Sequence, residues 1–112
     1  MTINNIEFKI DFTDAEVVQK IEEGSKQVYE EAEKLKTNKD LPLAEGIRQE
    51  CKIIKDFIDY VLGEGTSEKL FENRNSLQEC TNAFTQILEA RDNQYKTFVE
   101  KVNKYSPDRV SR

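Results

Sequence analysis

The chain of 112 residues contains no histidine and no tryptophan. Without histidine it lacks the usual general base of nucleophilic catalysis, and a cysteine–histidine zinc site is excluded. The sequence also has no glycine-rich phosphate loop closed by lysine and a hydroxyl residue. We therefore expect no enzymatic activity, no metal and no cofactor.

Glycine and proline are scarce, with 4 and 2 residues. This scarcity favours long continuous elements over a turn-rich β fold. Hydrophobic residues make up 37% of the chain and charged residues 35%, which is enough apolar material for one small core. We expect one domain over residues 1–112, with an extended β arm over residues 1–12 and a disordered tail over residues 106–112.

Long apolar runs are also missing. No stretch reaches the length of a membrane span, and the N-terminus lacks the basic-then-apolar pattern of a signal peptide. The sequence therefore predicts a cytoplasmic protein with no membrane contact. Cys51 and Cys80 occupy apolar positions of separate predicted helices, as small buried hydrophobes of a cytosolic protein do.

Acidic charge dominates, because the net charge is −5. Such a chain is poorly suited to binding nucleic acid through its phosphates. The charge is uneven: residues 14–36 carry seven acids and four lysines, whereas residues 91–112 carry six bases and three acids. Either these are two solvated helix faces, or the acidic face of one chain pairs with the basic face of another.

Large apolar and charged residues alternate near the start of the chain. The apolar set is Ile6, Phe8, Ile10 and Phe12, and the charged set is Glu7, Lys9 and Asp11. This period of two predicts a β-strand over residues 6–12 with one apolar face. Asn4 and Asn5 tolerate the positive φ of a tight turn, so residues 2–3 are expected to fold back on residues 6–7 as a short hairpin.

No other segment has a convincing strand pattern, so much of the strand over residues 6–12 would keep an unpaired edge. Two arrangements are open. Either a second chain or another protein supplies a partner by strand addition, or the strand packs flat on the helices with its edge in water.

Three long helices are predicted by apolar residues that recur every three or four positions. The first begins at Thr13, where Thr13 and Glu16 form a capping box, and extends to about Leu35. Gly24 weakens its middle, which predicts a close helix approach or a bend there. The second begins around residues 40–42 and ends before Gly63.

The second helix has a well-defined apolar face. The face consists of Leu43, Ile47, Cys51, Ile54, Phe57 or Ile58, and Val61. Its last turns are apolar on more than one side, so this end should be buried on several sides.

A short helix from Ser67 to about Glu72 precedes the third long helix. The third runs from about Leu77 to Tyr105, and Pro107 stops it. It would be about 43 Å long at ~1.5 Å per residue, which exceeds what a compact three-helix packing needs. Its C-terminal half is therefore expected to need another partner. The predicted fold class is mainly α, with three long helices, one short helix and a short N-terminal β-strand or hairpin.

Two motifs have a functional and a structural interpretation. Residues 63–67 contain two glycines and two hydroxyl residues before a helix, but they follow a helix and include Glu64, so a plain connector is favoured over a phosphate site. Asp56 and Asp59 lie three residues apart without further ligands, so we interpret them as solvent-side residues.

The pattern over most of the chain resembles one protein family. The segments that carry it are INNIEFKIDF at residues 3–12, FIDYVLGEGTSEKLF at residues 57–71, and the Asn75-Ser76-Leu77 run with Cys80 to Phe84 after it. These resemble the small tail assembly chaperone-like proteins of tailed phages and prophages of Gram-positive bacteria. The Gly-Glu-Gly-Thr segment at residues 63–66 carries most of the resemblance.

The resemblance implies a non-catalytic role in the host cell cytoplasm. Members of that family bind the long helical tape measure protein, keep it soluble and help tail tube subunits polymerise around it. The partners implied are therefore the tape measure protein and the major tail tube protein, and we also expect a homo-oligomer. The alternatives are a small phage tail structural or completion protein, and a helical regulatory adaptor.

Candidate protein-binding residues come from the N-terminal strand, the apolar end of the second helix, the short helix and the C-terminal half of the third long helix. They are Ile6, Phe8, Ile10, Phe12, Phe57, Tyr60, Leu70, Phe71, Tyr95, Phe98, Val102 and Tyr105. Unsatisfied apolar seams of this kind accept amphipathic helices, and strand edges accept extended segments.

Overall fold

The computed structural model describes residues 1–104 and confirms the predicted fold class: three long helices, one short helix and an N-terminal hairpin. The elements are β1 (Thr2–Ile3), β2 (Ile6–Glu7), α1 (Ala15–Lys36), α2 (Leu43–Leu62), α3 (Thr66–Phe71) and α4 (Leu77–Lys104). The predicted helix end at Tyr105, the stop at Pro107 and the tail over residues 106–112 lie outside the described residues.

The predicted hairpin is confirmed. Asn4 and Asn5 have φ values of 49° and 66°, the positive values that a two-residue turn of type I′ requires. The turn pairs Ile3 with Ile6 and places Thr2 opposite Glu7.

The strand predicted over residues 6–12 is wrong in its length, because β2 ends at Glu7. Met1 and Phe8 still face each other, and the Phe8 amide donates to the Met1 carbonyl at 2.7 Å. β1 has only two residues, so no strand of the described chain faces residues 9–12. We call residues 8–12 the arm. It keeps the predicted alternation, since Phe8, Ile10 and Phe12 turn inward while Lys9 and Asp11 are exposed.

The start of α1 differs from the predicted capping box. Asp14, not Thr13, caps the helix, and its carboxylate accepts the amides of Glu16 at 2.9 Å and Val17 at 3.4 Å. A carboxylate at this position also interacts favourably with the helix dipole. The Thr13 hydroxyl donates instead to Asp11 Oδ1 at 2.5 Å.

The predicted close approach at Gly24 is confirmed. Gly24 is buried in α1, and a Cβ atom there would lie 2.8 Å from Cδ1 of Phe57 on α2. Glycine thus lets the two helices pack more closely than any other residue would allow.

The central element is α2, which packs against α1, α3 and α4. Its buried residues are Cys51, Ile54, Phe57 and Ile58, and α4 contributes Cys80, Ala83, Phe84 and Ile87. The rings of Phe57 and Phe84 meet edge to face with centroids 4.9 Å apart, a favourable aromatic geometry. Leu43, predicted on the apolar face of α2, is 82% exposed, because the first turn of α2 extends beyond the core.

A glycine turn and a carboxylate connect α2 to α3. Gly63 and Gly65 have φ values of 114° and 88°, which favour glycine at both positions. Asp59 accepts the Ser67 amide at 2.8 Å and the Ser67 hydroxyl at 2.9 Å. The interpretation of Asp59 as a solvent-side residue is therefore wrong, because its carboxylate holds the first turn of α3. Asp56 is exposed, as predicted.

The molecule is elongated, with extents of 63 × 31 × 21 Å. None of the helices in residues 1–104 combines the length and the apolar character needed to cross a membrane.

Candidate functional site

The C-terminal half of α4 carries an exposed apolar stripe. The last fully buried residue of this helix is Ile87, whereas Tyr95, Phe98 and Val102 are 58%, 48% and 52% exposed. Their spacing of three and four places them on one helix face. Residues 91–104 thus form a projection about 21 Å long at ~1.5 Å per residue, which we call the α4 extension.

The arm is attached to the start of this extension by one side chain. The Gln94 side-chain amide accepts the Phe12 amide at 2.5 Å and donates to the Ile10 carbonyl at 3.4 Å. One residue of a parallel strand would make the same two bonds with its N–H and its C=O. Gln94 therefore replaces a strand partner on this edge of the arm. On this edge the arm thus packs against α4.

Two further side chains hold the hairpin on the helices. Gln86 of α4 donates to the Thr2 carbonyl at 3.2 Å, and Asn4 donates to the Leu70 carbonyl of α3 at 3.0 Å. Ile3, at the end of β1, is buried. The N-terminal segment is consequently an integral part of the fold.

A shallow groove of about 650 Å³ lies between the arm and the α4 extension. Its apolar lining comes from Met1, Phe8, Ile10 and Phe98, and its polar lining from Glu7, Lys9, Asp11, Thr13, Gln94, Thr97 and Lys101. We call it the arm groove. The sequence pattern identified Phe8, Ile10 and Phe98. It gave no signal for Met1, Thr97 and Lys101, because their position at the groove depends on how the arm crosses α4.

Two carboxylates at the arm groove have lowered pKa values. Hydrogen bonds from the Thr2 hydroxyl and the N-terminal ammonium lower the pKa of Glu7, and the hydroxyl and amide of Thr13 lower the pKa of Asp11. Hydrogen bonds to the charged form favour that form. Both carboxylates are therefore ionised at neutral pH.

Several of the predicted binding residues lie in the core. Phe12, Phe57, Leu70 and Phe71 are all buried, so a partner would reach them only if the core opened. Ile6, Phe8 and Ile10 are partly buried against the core. Tyr105 lies outside the described residues. The structure thus brings together Phe8, Ile10 and Phe98 at the arm groove, beside Tyr95 and Val102.

Tyr60 belongs to a different surface. It lines a groove of about 410 Å³ between α1 and α2, with Val28, Leu35 and Ile53 among its apolar neighbours. Its hydroxyl donates to Glu23 at 3.0 Å, and this bond raises the pKa of Tyr60. Tyr60 is therefore separated from Phe8, Ile10 and Phe98, which line the arm groove.

Two properties of residues 1–104 concern metal ligands and buried polar groups. They contain no group of three or more metal-ligating side chains. Every buried side-chain nitrogen and oxygen in this part of the chain has a hydrogen-bond partner. The described surface also presents apolar stripes and backbone edges, which are groups of a kind that recognises other proteins.

No curated protein and no solved structure matches the chain. A family match does exist, and it covers residues 4–112, which include the hairpin turn, the arm and all four described helices. The chain therefore belongs to the family of unknown function DUF6673.

Proposed function

We propose that the protein is a non-catalytic phage tail assembly chaperone. In this role it binds the tape measure protein in the host cytoplasm and assists tail tube assembly. The resemblance of residues 57–71 to such chaperones suggests the tape measure protein as the partner. The structure supports the proposal with an exposed apolar surface suited to a helical partner. The observation that carries the proposal is the exposed stripe of Tyr95, Phe98 and Val102 on the α4 extension.

The stripe suits a helical partner for a physical reason. Apolar residues spaced three and four apart on an exposed helix bind the apolar face of another helix. Phe98 also lines the arm groove, so a partner helix seated there would contact both α4 and the arm. Phe98 is 48% exposed, so burying the rest of its side chain would contribute about half of the roughly 1.5–3 kcal/mol that full burial of an exposed side chain gives.

The test is co-expression with a tagged tape measure protein encoded in the same phage or prophage genome. Phe98→Asp should reduce the co-purified chaperone by about tenfold or more, because a charge replaces a buried ring. Asn93→Asp is the matched control, since Asn93 lies on the opposite side of the same extension and is exposed. It adds the same charge and should leave co-purification unchanged.

Three results would contradict this assignment. If Phe98→Asp binds the tape measure protein as well as the natural chain does, the stripe is not the binding surface. A loss with Tyr60→Asp instead would place the partner in the groove between α1 and α2. Detection of the protein in purified virions would identify a tail structural or completion protein, since an assembly chaperone is absent from the finished tail.

A further inference from the structure

The two edges of the N-terminal strand differ in how their backbone groups are satisfied. The Phe8 amide donates to the Met1 carbonyl, and the Met1 ammonium donates to the Phe8 carbonyl at 3.0 Å. The backbone groups of Phe8 therefore point toward β1. Successive residues of an extended chain point their backbone groups to opposite edges, so those of Glu7, Lys9 and Asp11 point away from β1. We call this the outer edge.

The outer edge has almost no partners within residues 1–104. The amides of Glu7, Lys9 and Asp11 donate no hydrogen bond there, and of their carbonyls only that of Asp11 accepts one, from the Asp14 amide at 3.2 Å. By contrast, Met1 and Gln94 occupy the inner edge. All three outer-edge residues are exposed, and an exposed strand edge is a template for pairing with another strand.

We propose that the outer edge pairs antiparallel with the same edge of a second copy of this chain. The pairing joins the two hairpins into one sheet across a twofold axis, an isologous interface that closes on itself. A two-stranded hairpin is marginal alone, and further strands stabilise it. This inference does not depend on the proposed role in tail assembly.

Charge selects the register of the pairing. If Lys9 lies opposite Lys9, Glu7 lies opposite Asp11, and both pairs repel. If Lys9 lies opposite Glu7, it meets a carboxylate that the Met1 ammonium already neutralises at 3.1 Å. If Lys9 lies opposite Asp11, both pairs attract, and the Asp11 carboxylate has no cationic partner within residues 1–104.

The register with Lys9 opposite Asp11 has a second favourable property. It places Ile10 opposite Ile10 of the second copy at the twofold axis, as a pair without mutual hydrogen bonds. Such pairs bring their Cα atoms to about 4.5 Å. Lys9 has no ion pair or hydrogen bond within residues 1–104, so pairing costs it no existing interaction.

The first test is a charge swap on the full chain, measured by sedimentation equilibrium. The natural chain should form dimers. Lys9→Glu and Asp11→Lys should each weaken the dimer by about tenfold or more, because each places like charges opposite each other twice. The double variant restores both attractions and should dimerise like the natural chain. Lys39→Glu makes the same charge change in the loop between α1 and α2 and should have no effect.

The double variant also separates the registers. In the register with position 9 opposite Glu7, the double variant would place its new carboxylate at position 9 opposite that of Glu7. Its dimer would then stay weaker than that of the natural chain. That result overturns the proposed register. If the natural chain is strictly monomeric at high micromolar concentration, the proposal is wrong. The outer edge would then be available for pairing with a strand of another protein. Dimers that Lys9→Glu does not weaken also overturn it, since they would form through another surface.

A second test does not depend on the hydrogen bonds that Asp11 makes to Thr13. In Ile10→Cys, the two thiols at the twofold axis should be close enough for a disulfide, which needs Cα atoms roughly 4.4–6.8 Å apart. Glutathione disulfide, as the oxidant, should convert this variant to covalent dimers and release two equivalents of reduced glutathione per bond. Thr85→Cys, on the exposed face of α4, is the control and should not crosslink. Failure of Ile10→Cys to crosslink while it remains folded contradicts the proposal.

Discussion

At the residue scale, one carboxylate determines where α3 begins. Asp59 accepts both the amide and the hydroxyl of Ser67, whereas Gly65, which precedes the helix, has no side chain to cap it. A six-residue helix has little stability of its own. The position of α3, and with it the burial of Leu70 and Phe71, therefore depends on Asp59.

We expect Asp59→Ala to lower the free energy of unfolding by about 1 kcal/mol, with a range of roughly 0.5–2, because it removes this cap. Chemical denaturation monitored by circular dichroism measures the change. Asp56→Ala is the matched control, since Asp56 is exposed and makes only a surface ion pair with Lys52 at 3.0 Å. Such pairs contribute about 0–1 kcal/mol. Equal effects of the two substitutions would rule out a special role for Asp59.

The buried thiols predict a dependence of stability on alkaline pH. Burial raises the pKa of Cys80 from 9.0 to about 12, with a hydrogen bond to the Cys51 thiol as the next cause. The folded state thus holds this proton more tightly than the unfolded state. Its contribution to stability is complete below pH 9, the ordinary value, and is lost as pH rises through about 12.

Denaturant titrations between these two pH values should show a declining free energy of unfolding. Cys80→Ala should be less stable at neutral pH, because it leaves a cavity, but should decline less steeply above pH 9. The two proteins differ in this thiol alone, so the difference in slope isolates its contribution. Parallel declines in the two proteins would contradict this account.

At the element scale, two glycines in helices should respond oppositely to the same substitution. In Gly24→Ala the new methyl would lie 2.8 Å from the Phe57 ring, and overpacking of this kind costs about 1–3 kcal/mol. In Gly46→Ala the nearest atom is Leu41 Cδ2 at 3.6 Å, an ordinary contact. Alanine there should stabilise α2 by up to about 1 kcal/mol.

Thermal unfolding of the two variants measures the difference. Gly24→Ala should unfold at a lower temperature than the natural chain, and Gly46→Ala at a higher one. If Gly24→Ala is also stabilising, α1 and α2 are not held at the close approach described, and helix propensity alone governs both sites.

Local signals in the sequence predicted most elements, because these elements depend on neighbouring residues. Asn4 and Asn5 adopt the positive φ of the hairpin turn, and α2 ends before Gly63, whose φ is 114°. The wrong predictions concern two kinds of position: a helix start where two neighbouring residues can cap the helix, and a helix end that extends beyond the core. Asp14 competes with Thr13 for the start of α1, and Leu43 has the right spacing but lies beyond the core.

The candidate site was less predictable for a tertiary reason. Phe71 and Phe98 both fit apolar helical patterns, yet Phe71 is fully buried and Phe98 is 48% exposed. Periodicity gives the face of a helix but not whether another element covers it. Gln94 also carried no sequence signal, since an amide side chain that replaces a strand is recognisable only once the arm lies beside it.

At the scale of the whole molecule, Gln94 joins the two ends of the described chain. Its bonds to Phe12 and Ile10 span 82 and 84 positions of the sequence. We expect Gln94→Ala to detach the arm locally, at a cost of about 1 kcal/mol. The Phe12 amide should then exchange its hydrogen about fivefold to tenfold faster.

Hydrogen exchange measured by NMR provides the test. Gln78→Ala is the control, because Gln78 is exposed on the same helix and makes no hydrogen bond to the arm. Unchanged protection of Phe12 in Gln94→Ala would mean that the apolar side chains alone hold the arm. The detached arm would also lose its fixed outer edge, so this variant should dimerise more weakly.

The distance in sequence between Gln94 and the arm also governs how the chain folds on the ribosome. Synthesis of 82 residues takes roughly 4–16 s at about 5–20 residues per second. During that interval α1 is completed, but Gln94, which holds the arm on α4, has not yet been made. A nascent chain therefore exposes its apolar arm close to other nascent chains on the same mRNA. If translation slowed before residue 94, misassembly would begin at the arm.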